Sequence, residues 1–309
     1  MFKEIAMLYD VLIVGGGPAG ITAGIYAKRA GRNVAIIEKY APGGQLNFIG
    51  KIENYPGFEE IEGSDLAMKF DAHARKIGVP FIYDEVIDYD FSGKEKTVMG
   101  KKSKYLAKTI ILALGCHTKE LNIEGEKEFK GRGVSYCAVC DGAFFKGKTV
   151  AVVGSGDSAF SDAEYLTGVA DHVYLLTKDH LKVHNYSAQA FDENPKVTIL
   201  KGALSTKIEG KDAVEKLYYK QDGKDLSIDV DAVFVAIGRK PDTSKLEGNL
   251  KLTENGYIIT DDKMQASVEG VFAIGDVRDG TIRQIATAVG DGALAGTEAM
   301  KKSLVWHLQ

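Results

Sequence analysis

An α/β fold with two nucleotide-binding-type units is predicted by three observations. A buried-strand run enters a glycine-rich turn and then a helix, the same pattern returns midway along the chain, and further apolar strand runs end in glycine. The 309 residues, 45% hydrophobic and 27% charged, can bury a sizeable core and suit two domains better than one. The 35 glycines are too aperiodic for a fibre and mark tight turns or close ligand approach.

Asp10-Val11-Leu12-Ile13-Val14 reads as the first strand, Gly15-Gly16-Gly17-Pro18-Ala19-Gly20 as the turn, and residues 19–29 as a helix closed by Gly31. A second strand, Val34-Ala35-Ile36-Ile37, ends at Glu38. Strand, Gly-x-Gly-x-x-Gly, helix, strand and acid together make a dinucleotide-binding βαβ unit, whereas the glycines alone would indicate only a tight turn. Gly15, Gly17 and Gly20 let main chain approach a pyrophosphate at the helix N-terminus, where free N–H groups and the helix dipole favour negative charge. Glu38 is placed to accept hydrogen bonds from a ribose and disfavours a 2′-phosphate there.

Pro42-Gly43-Gly44-Gln45-Leu46 and Glu53-Asn54-Tyr55-Pro56-Gly57 read as loops. Residues 64–77 have the pattern of an amphipathic helix, 79–83 and 86–91 of short strands, and 109–114 of a buried strand running into Gly115. At Thr149-Val150-Ala151-Val152-Val153 the opening unit starts again. Gly154-Ser155-Gly156-Asp157-Ser158-Ala159 follows, then a helix through Leu166 and the strand His172-Val173-Tyr174-Leu175-Leu176. This repetition implies two nucleotide-type domains. Strands are expected at 197–200, 213–219, 226–230, 232–238 and 271–276, the last ending in Gly275-Asp276. A closing helix over about 284–302 is rich in Ala and Gly, which suits either backbone contact with a flat ligand or ordinary helix packing.

Net charge is −4 with no long basic run, which argues against nucleic acid or an anionic membrane as partner. No apolar run approaches a membrane span. Met1-Phe2-Lys3-Glu4 lacks the layout of a secretory signal and three cysteines cannot build a disulfide framework, so a reducing cytoplasm is the expected compartment.

Two of those cysteines lie in Cys137-Ala138-Val139-Cys140-Asp141-Gly142. A C-x-x-C at a helix start can have a lowered thiol pKa, and thiolates are the nucleophiles of disulfide exchange. An acid directly behind the second cysteine can manage the proton. The competing reading is zinc, which needs two more ligands. Cys116 and His117 are the nearest candidates and the other histidines are scattered, so no metal is expected and Cys116 reads as a small buried residue.

Gly15 to Gly20, Gly43-Gly44-Gln45-Leu46, Glu53 to Gly57, Cys137 to Gly142, Gly275-Asp276-Val277 and Arg283-Gln284-Ile285-Ala286-Thr287-Ala288 carry a resemblance. In this order and spacing the chain resembles the low-molecular-weight, two-domain flavoprotein thioredoxin reductases over essentially its whole length. The resemblance implies a discontinuous FAD-binding Rossmann-like domain, 1–118 with 248–309. Into it is inserted an NAD(P)H-like domain, 119–247, that carries the C-x-x-C. It implies FAD contacts from Gly15, Gly17, Pro18, Ala19 and Gly20, with Glu38 on the adenosine ribose. Gly44, Gln45, Leu46 and Asn54 would lie near the flavin, Gly275 and Asp276 at the ribityl chain, and Arg283, Gln284, Ile285 and Ala288 toward the isoalloxazine ring. Val86, Ala113 and Gly115 complete the implied set. Cys140 would be the flavin-proximal sulfur, Cys137 the one that attacks thioredoxin, and Asp141 the general acid or base. Members of the family are homodimers.

The second nucleotide unit departs from this pattern. NADPH-dependent relatives follow its second strand with His-Arg-Arg-x-x-x-Arg, because a 2′-phosphate suits bidentate guanidinium contacts. Here the stretch is Thr177-Lys178-Asp179-His180-Leu181-Lys182, without arginine and with a repelling Asp179. Ser161-Asp162 also stands where relatives carry two consecutive acids. The expectation is loss of normal NADPH affinity, which leaves three donors: NADH, weakly bound NADPH through Lys178 and Lys182, or ferredoxin, as in the ferredoxin-dependent flavin thioredoxin reductases. Ferredoxin is the favoured one. Its acidic surface would need a basic patch, for which Lys101, Lys102, Lys104, Lys108, Lys301 and Lys302 are candidates, unless they are simply solvated. Trp306-His307 would either cover the flavin or be a frayed end. A reading of another class is a non-catalytic flavin or nucleotide redox sensor, against which the intact Cys137, Cys140 and Asp141 weigh.

Overall fold

Strands rich in Val and Ile with both faces covered read as continuous apolar runs, and this is how the first sheet is built. The structure, a computed structural model, describes residues 7–178, 191, 194–280 and 282–306. The chain forms two compact units, Met1–His117 with Lys240–Gln309, and Thr118–Arg239. Helices among the described residues are α1 (Pro18–Arg29), α2 (Gly63–Ile77), the single turn α3 (Ala138–Asp141), α4 (Asp157–Thr167) and α5 (Ile285–Leu304).

In the first unit Leu8–Val14 is central, parallel to Val34–Glu38 on one side and to Lys104–Leu112 on the other. Phe81–Tyr83 extends the first edge, also parallel. Lys104–Leu112 serves two partners along its other edge. Its first half runs antiparallel to Lys96–Gly100 and its second half parallel to Val271–Ala273. Val86–Asp90 then pairs with Lys96–Gly100. Val11 and Ile13 face α1, α2 and α5 in one buried cluster, while Leu12 and Val14 face Tyr89, Phe91, Leu246 and Ile258 in another. Alternation along one strand thus feeds two cores.

The small residues of α5 are explained by helix packing. A Cβ on Gly292 would stand 2.3 Å from the Ala19 carbonyl oxygen, and one on Gly296 would stand 2.6 Å from that of Ala23, so α5 lies backbone to backbone on α1. Of the two readings open from sequence, this face belongs to packing.

In the second unit Val134–Ser135, Ala232–Val235, Thr149–Val153, His172–Thr177 and Val197–Lys201 form a wholly parallel sheet in that order. Val150 and Val152 pack with α4 residues Phe160, Ala163 and Leu166. Ala151 and Val153, on the opposite face, meet Leu217 and Tyr219 of an antiparallel sheet, Leu204–Gly210, Val214–Gln221 and Lys224–Asp229. Lys96–Gly100 and Leu204–Gly210 are strands where the sequence reading placed none, and the strand expected over 79–83 is confined to Phe81–Tyr83. No helix among the described residues is long and apolar enough to cross a membrane.

The α1–α5 contact sets an expectation for stability. Gly292→Ala gains helix propensity but meets a main-chain oxygen that cannot turn aside, so equilibrium denaturation should show a loss of about 1–3 kcal/mol.

Candidate functional site

The dithiol segment is held by its neighbours on both sides. Val134 and Ser135 are registered in the sheet against Val233 and Phe234, and the chain then turns at Tyr136 into Cys137, the N-cap of α3. Cys137 and Cys140 are joined in a disulfide, and the Cys140 N–H donates to the Cys137 Sγ at 3.2 Å. Of the two residues between them, Ala138 is fully buried in the core beneath α4, whereas Val139 is 46% exposed. One residue therefore anchors the turn and the other leaves it open to solvent.

Asp141 closes this turn, its N–H donating to the Cys137 carbonyl at 3.1 Å. Its carboxylate accepts the Ser135 hydroxyl proton at 2.6 Å. Burial holds the carboxyl above the ordinary aspartate range, and the Ser135 hydrogen bond opposes that rise. A carboxyl with raised proton affinity beside a disulfide can hold or release a proton as the sulfurs change state.

Sequence reading missed the support behind Tyr136. Glu126 is fully buried and accepts three hydrogen bonds, from the N–H groups of Leu121 and Asn122 and from the Tyr136 hydroxyl at 3.0 Å. Burial, reinforced by Glu126, raises the Tyr136 pKa. The Tyr136 carbonyl accepts from Arg239 at 3.5 Å. Arg239 also pulls against the burial of Asp162, whose carboxyl is pushed up to about 6.

The first unit holds the glycine cradle. Gly15 has φ +106°, and a Cβ there would lie 2.2 Å from the Ala113 carbonyl oxygen; one on Gly20 would lie 1.9 Å from that of Gly15. Main chain thus fills the space that side chains would need. The turn opens on the N-terminus of α1, where Pro18 sits in the first turn with no side-chain cap and no acid. Glu38 accepts from the Gly16 and Tyr40 N–H groups at 2.7 and 2.9 Å, one on each oxygen, which leaves further lone pairs.

The other predicted contacts come from distant segments of the same unit. Gln45 donates to the Cys116 carbonyl at 2.7 Å and the Cys116 thiol lies 3.6 Å from an Asp276 carboxylate oxygen. Asn54 donates to the Gln284 side chain at 3.2 Å, and Gln284 forms a capping box with Thr287 at the start of α5. Gly275, at φ +66°, lies against Ala19 and Ala288. The Arg283 guanidinium is 4.3 Å from the Tyr257 ring centroid, and its Nε is buried without a hydrogen-bond partner. Gly44 and Gly115 take positive φ beside Gly17 and Gln45 respectively.

Some members of the predicted set contribute differently. The Leu46 side chain is buried with Ile52, Ile61 and Leu66, and Ile285 packs against the same group. Val86 belongs to the core behind the sheet. For Leu46 and Val86 the main chain is what remains for a ligand.

An Asp291–Arg278 pair, also missed from sequence, fixes the Gly275 turn. Asp291 accepts from the Gly275 N–H at 3.0 Å and from two guanidinium nitrogens of Arg278 at 2.7 and 3.2 Å. The crowded glycine turn, the uncapped helix end and the unpartnered Arg283 Nε together suit a dinucleotide with a pyrophosphate.

The second glycine turn is arranged alike but charged differently. A Cβ on Gly154 would lie 2.3 Å from the Ala236 oxygen, and Ser155 accepts from the Lys178 N–H at 3.2 Å. Asp157 stands in the first turn of α4, where a negative charge opposes an incoming anion. No arginine occurs between Arg132 and Arg239. Asp179, His180, Leu181 and Lys182 lie outside the described residues.

Two further expectations are altered. Lys101 and Lys302 pair with Glu85 and Glu269, Lys108 with Asp10, Lys301 with Glu298, and Lys102 donates to the Tyr83 carbonyl. Five of the six candidate docking lysines thus have acceptors in their own chain, which lowers the positive field they offer. Trp306 donates to the Lys94 carbonyl at 3.4 Å and stacks near the ammonium groups of Lys94 and Lys108. Lys108 adjoins Asp10 on the central strand, whereas the glycine turn follows that strand's other end, so Trp306 packs away from the cradle. His307 lies outside the described residues.

Comparison with known proteins agrees with the fold. Residues 9–292 match the Pyridine nucleotide-disulphide oxidoreductase family. The thioredoxin reductase of Bacillus subtilis is 44% identical over 93% of this chain and 92% of its own. The crystal structure of thioredoxin reductase from Streptococcus pyogenes is 42% identical, with TM-score 0.89 over 96% of this chain and 98% of that one. A ferredoxin-flavin thioredoxin reductase from Clostridium acetobutylicum is 32% identical, with TM-score 0.53 over 96% and 98%. The chain belongs to the pyridine nucleotide-disulphide oxidoreductase family and, within it, to the thioredoxin reductases.

The half-buried Asp162 gives a pH-dependent expectation. Its pKa of about 6 in the folded chain, against an ordinary 3.8, means that the folded state binds the proton more tightly. Stability from this group is full below about pH 4 and is lost as pH rises through 6. Asp162→Asn should therefore stabilise the protein by about 1–3 kcal/mol at pH 8 in denaturant titrations, with the gain vanishing near pH 4.

Proposed function

We propose that the protein is an FAD-dependent thioredoxin reductase that reduces a thioredoxin disulfide through Cys137 and Cys140. The observation that carries the reading is the Cys137–Cys140 disulfide with the half-buried Asp141, its carboxylate bonded to Ser135, at the end of the same turn. The cradle at Gly15, Gly17, Pro18, Ala19 and Gly20, with Glu38 and the Gly275-Asp276 turn, suits FAD; the relatives' names support thioredoxin as substrate, and the name of the Clostridium protein supports a flavin. FAD, when bound, supplies the electrons that open the disulfide.

The chain's own residues then carry the exchange. Cys137, as thiolate, attacks one sulfur of the substrate disulfide and expels the other as a thiolate, which takes a proton. Cys140, giving its proton to Asp141, attacks the Cys137 sulfur, restores the internal disulfide and releases the second substrate thiol. Two thiols of the protein are oxidised and one substrate disulfide is reduced to two thiols. A non-catalytic sensor would have no use for an acid buried against the dithiol. The resemblance that suggests this activity also suggests a homodimer, and the low cysteine content suits a reducing compartment such as the cytoplasm.

Ferredoxin is the proposed electron donor. The reading rests on the arginine-free stretch between Arg132 and Arg239, the acid in the first turn of α4 and the likeness to a ferredoxin-flavin thioredoxin reductase. The lysine set named from sequence offers such a donor a weakened positive patch, because five of its six side chains have acceptors within the chain.

The test is anaerobic. The flavin of the purified protein is reduced chemically and mixed with oxidised thioredoxin; disulfide reduction should follow, and Cys140→Ser should slow it by about 10³-fold or more. NADPH, NADH and reduced ferredoxin, offered separately, distinguish the donors. Bleaching of the visible flavin band by ferredoxin alone is expected, and bleaching by micromolar nicotinamide would make this an ordinary pyridine-nucleotide enzyme.

A further inference from the structure

We propose that Ser135 is a positioning residue for the exchange: its hydroxyl clasps the Asp141 carboxylate to the main chain of Cys137 and fixes the proton-managing group beside the dithiol. The inference rests on the dithiol reading above. Ser135 is 5% exposed and sits on a strand whose register is set by the pairs Val134–Val233 and Ser135–Phe234. Its oxygen accepts the Cys137 N–H at 3.1 Å and donates to Asp141 at 2.6 Å. A hydroxyl has a single proton, and with its lone-pair side taken by the amide that proton points to the carboxylate. A separation of 2.6 Å is the range of a charge-assisted bond. The Cys137 carbonyl, 3.4 Å away, is the alternative acceptor, so movement of Cys137 during exchange alters what Asp141 receives.

The surroundings leave this hydroxyl with the main polar role at Asp141. Burial and Ser135 are the two influences on its proton affinity. The α4 helix, packed against α3, carries Asp157, Asp162, Glu164 and Tyr165 as its titratable groups; α3 itself carries the two cysteines, and Tyr136 precedes them, bonded to Glu126. None of these is hydrogen-bonded to the Asp141 carboxylate among the described residues. Without Ser135 the half-buried carboxylate loses its side-chain hydrogen bond, and a partly desolvated group so deprived responds by taking up a proton more readily.

The experiment follows Asp141 itself in the oxidised, flavin-loaded protein. Aspartate is labelled with carbon-13 at Cγ, the Asp141 resonance is assigned by its loss in Asp141→Asn, and its midpoint is titrated in wild type, Ser135→Ala and Ser135→Thr. Ser135→Ala should raise the midpoint by about one pH unit or more, and Ser135→Thr, which keeps the hydroxyl, should stay within a few tenths. An unmoved midpoint in Ser135→Ala overturns the proposal. So does a rise in Ser135→Thr like that expected of Ser135→Ala, a result available even if the alanine variant fails to fold. Neither electron donor nor thioredoxin enters the measurement, so failure of the reductase reading is seen separately.

Discussion

No side chain fits at Gly20, where a Cβ would come within 1.9 Å of the Gly15 oxygen. That crowding brings the first strand, the turn and α1 together with main chain alone, and the helix N-terminus carries no side-chain cap. The rest of the first unit builds on it. Because α1 lies so close to the strand, α5 can lie close to α1 only through Gly292 and Gly296, and this brings Gly275, Ala19 and Ala288 to one place. The Asp276 turn is then held from behind by Asp291 and Arg278. The segments proposed to hold the cofactor, around Gly15–Gly20, Glu38, Gln45 and Gly275, thus share one backbone-packed frame.

The second unit repeats the geometry and changes the electrostatics. Gly154 is about as crowded as Gly15, yet an acid opens α4 and no arginine occurs between Arg132 and Arg239. Its parallel sheet presents the strand ending at Ser135, and from that end the chain makes one turn of helix containing both cysteines and Asp141. Ala138 beneath and Tyr136 tied to Glu126 immobilise the turn, while Val139 remains exposed. Catalysis by exchange needs a sulfur that a protein substrate can reach and a proton site that solvent does not flood. This short stretch sets an exposed Val139 between the cysteines and a half-buried, Ser135-bonded Asp141 behind them.

Much of this was legible in the sequence because it is local. The Val11 to Val14 run, the two glycine turns and the helical spacing from Gly63 to Ile77 are each written in fewer than two dozen consecutive residues. The Gly154 turn could be read as a repeat of the first. What was not legible depends on segments far apart or on polar strands without alternation. Lys96–Gly100 and Leu204–Gly210 look like loops until their antiparallel partners are present. Asp291 looks like any helix-surface acid, and only the turn at Gly275 gives it a role. Glu126 sits in a charged stretch, and nothing in its neighbours announces full burial. The lysines show the same limit, since the sequence left them as patch or solvated face, and the acids that pair with Lys101, Lys108 and Lys302 come from other segments.

The account rests on Cys137 being the sulfur that meets the substrate, with Cys140 behind it. The direct measurement uses Cys140→Ser protein and a thioredoxin that lacks its resolving cysteine and carries an activated mixed disulfide on the other. A stable adduct whose peptide map joins Cys137 to thioredoxin is the predicted result. Linkage through Cys116, or no adduct while the reduced Cys137 thiol is shown to be alkylated freely, would contradict the account.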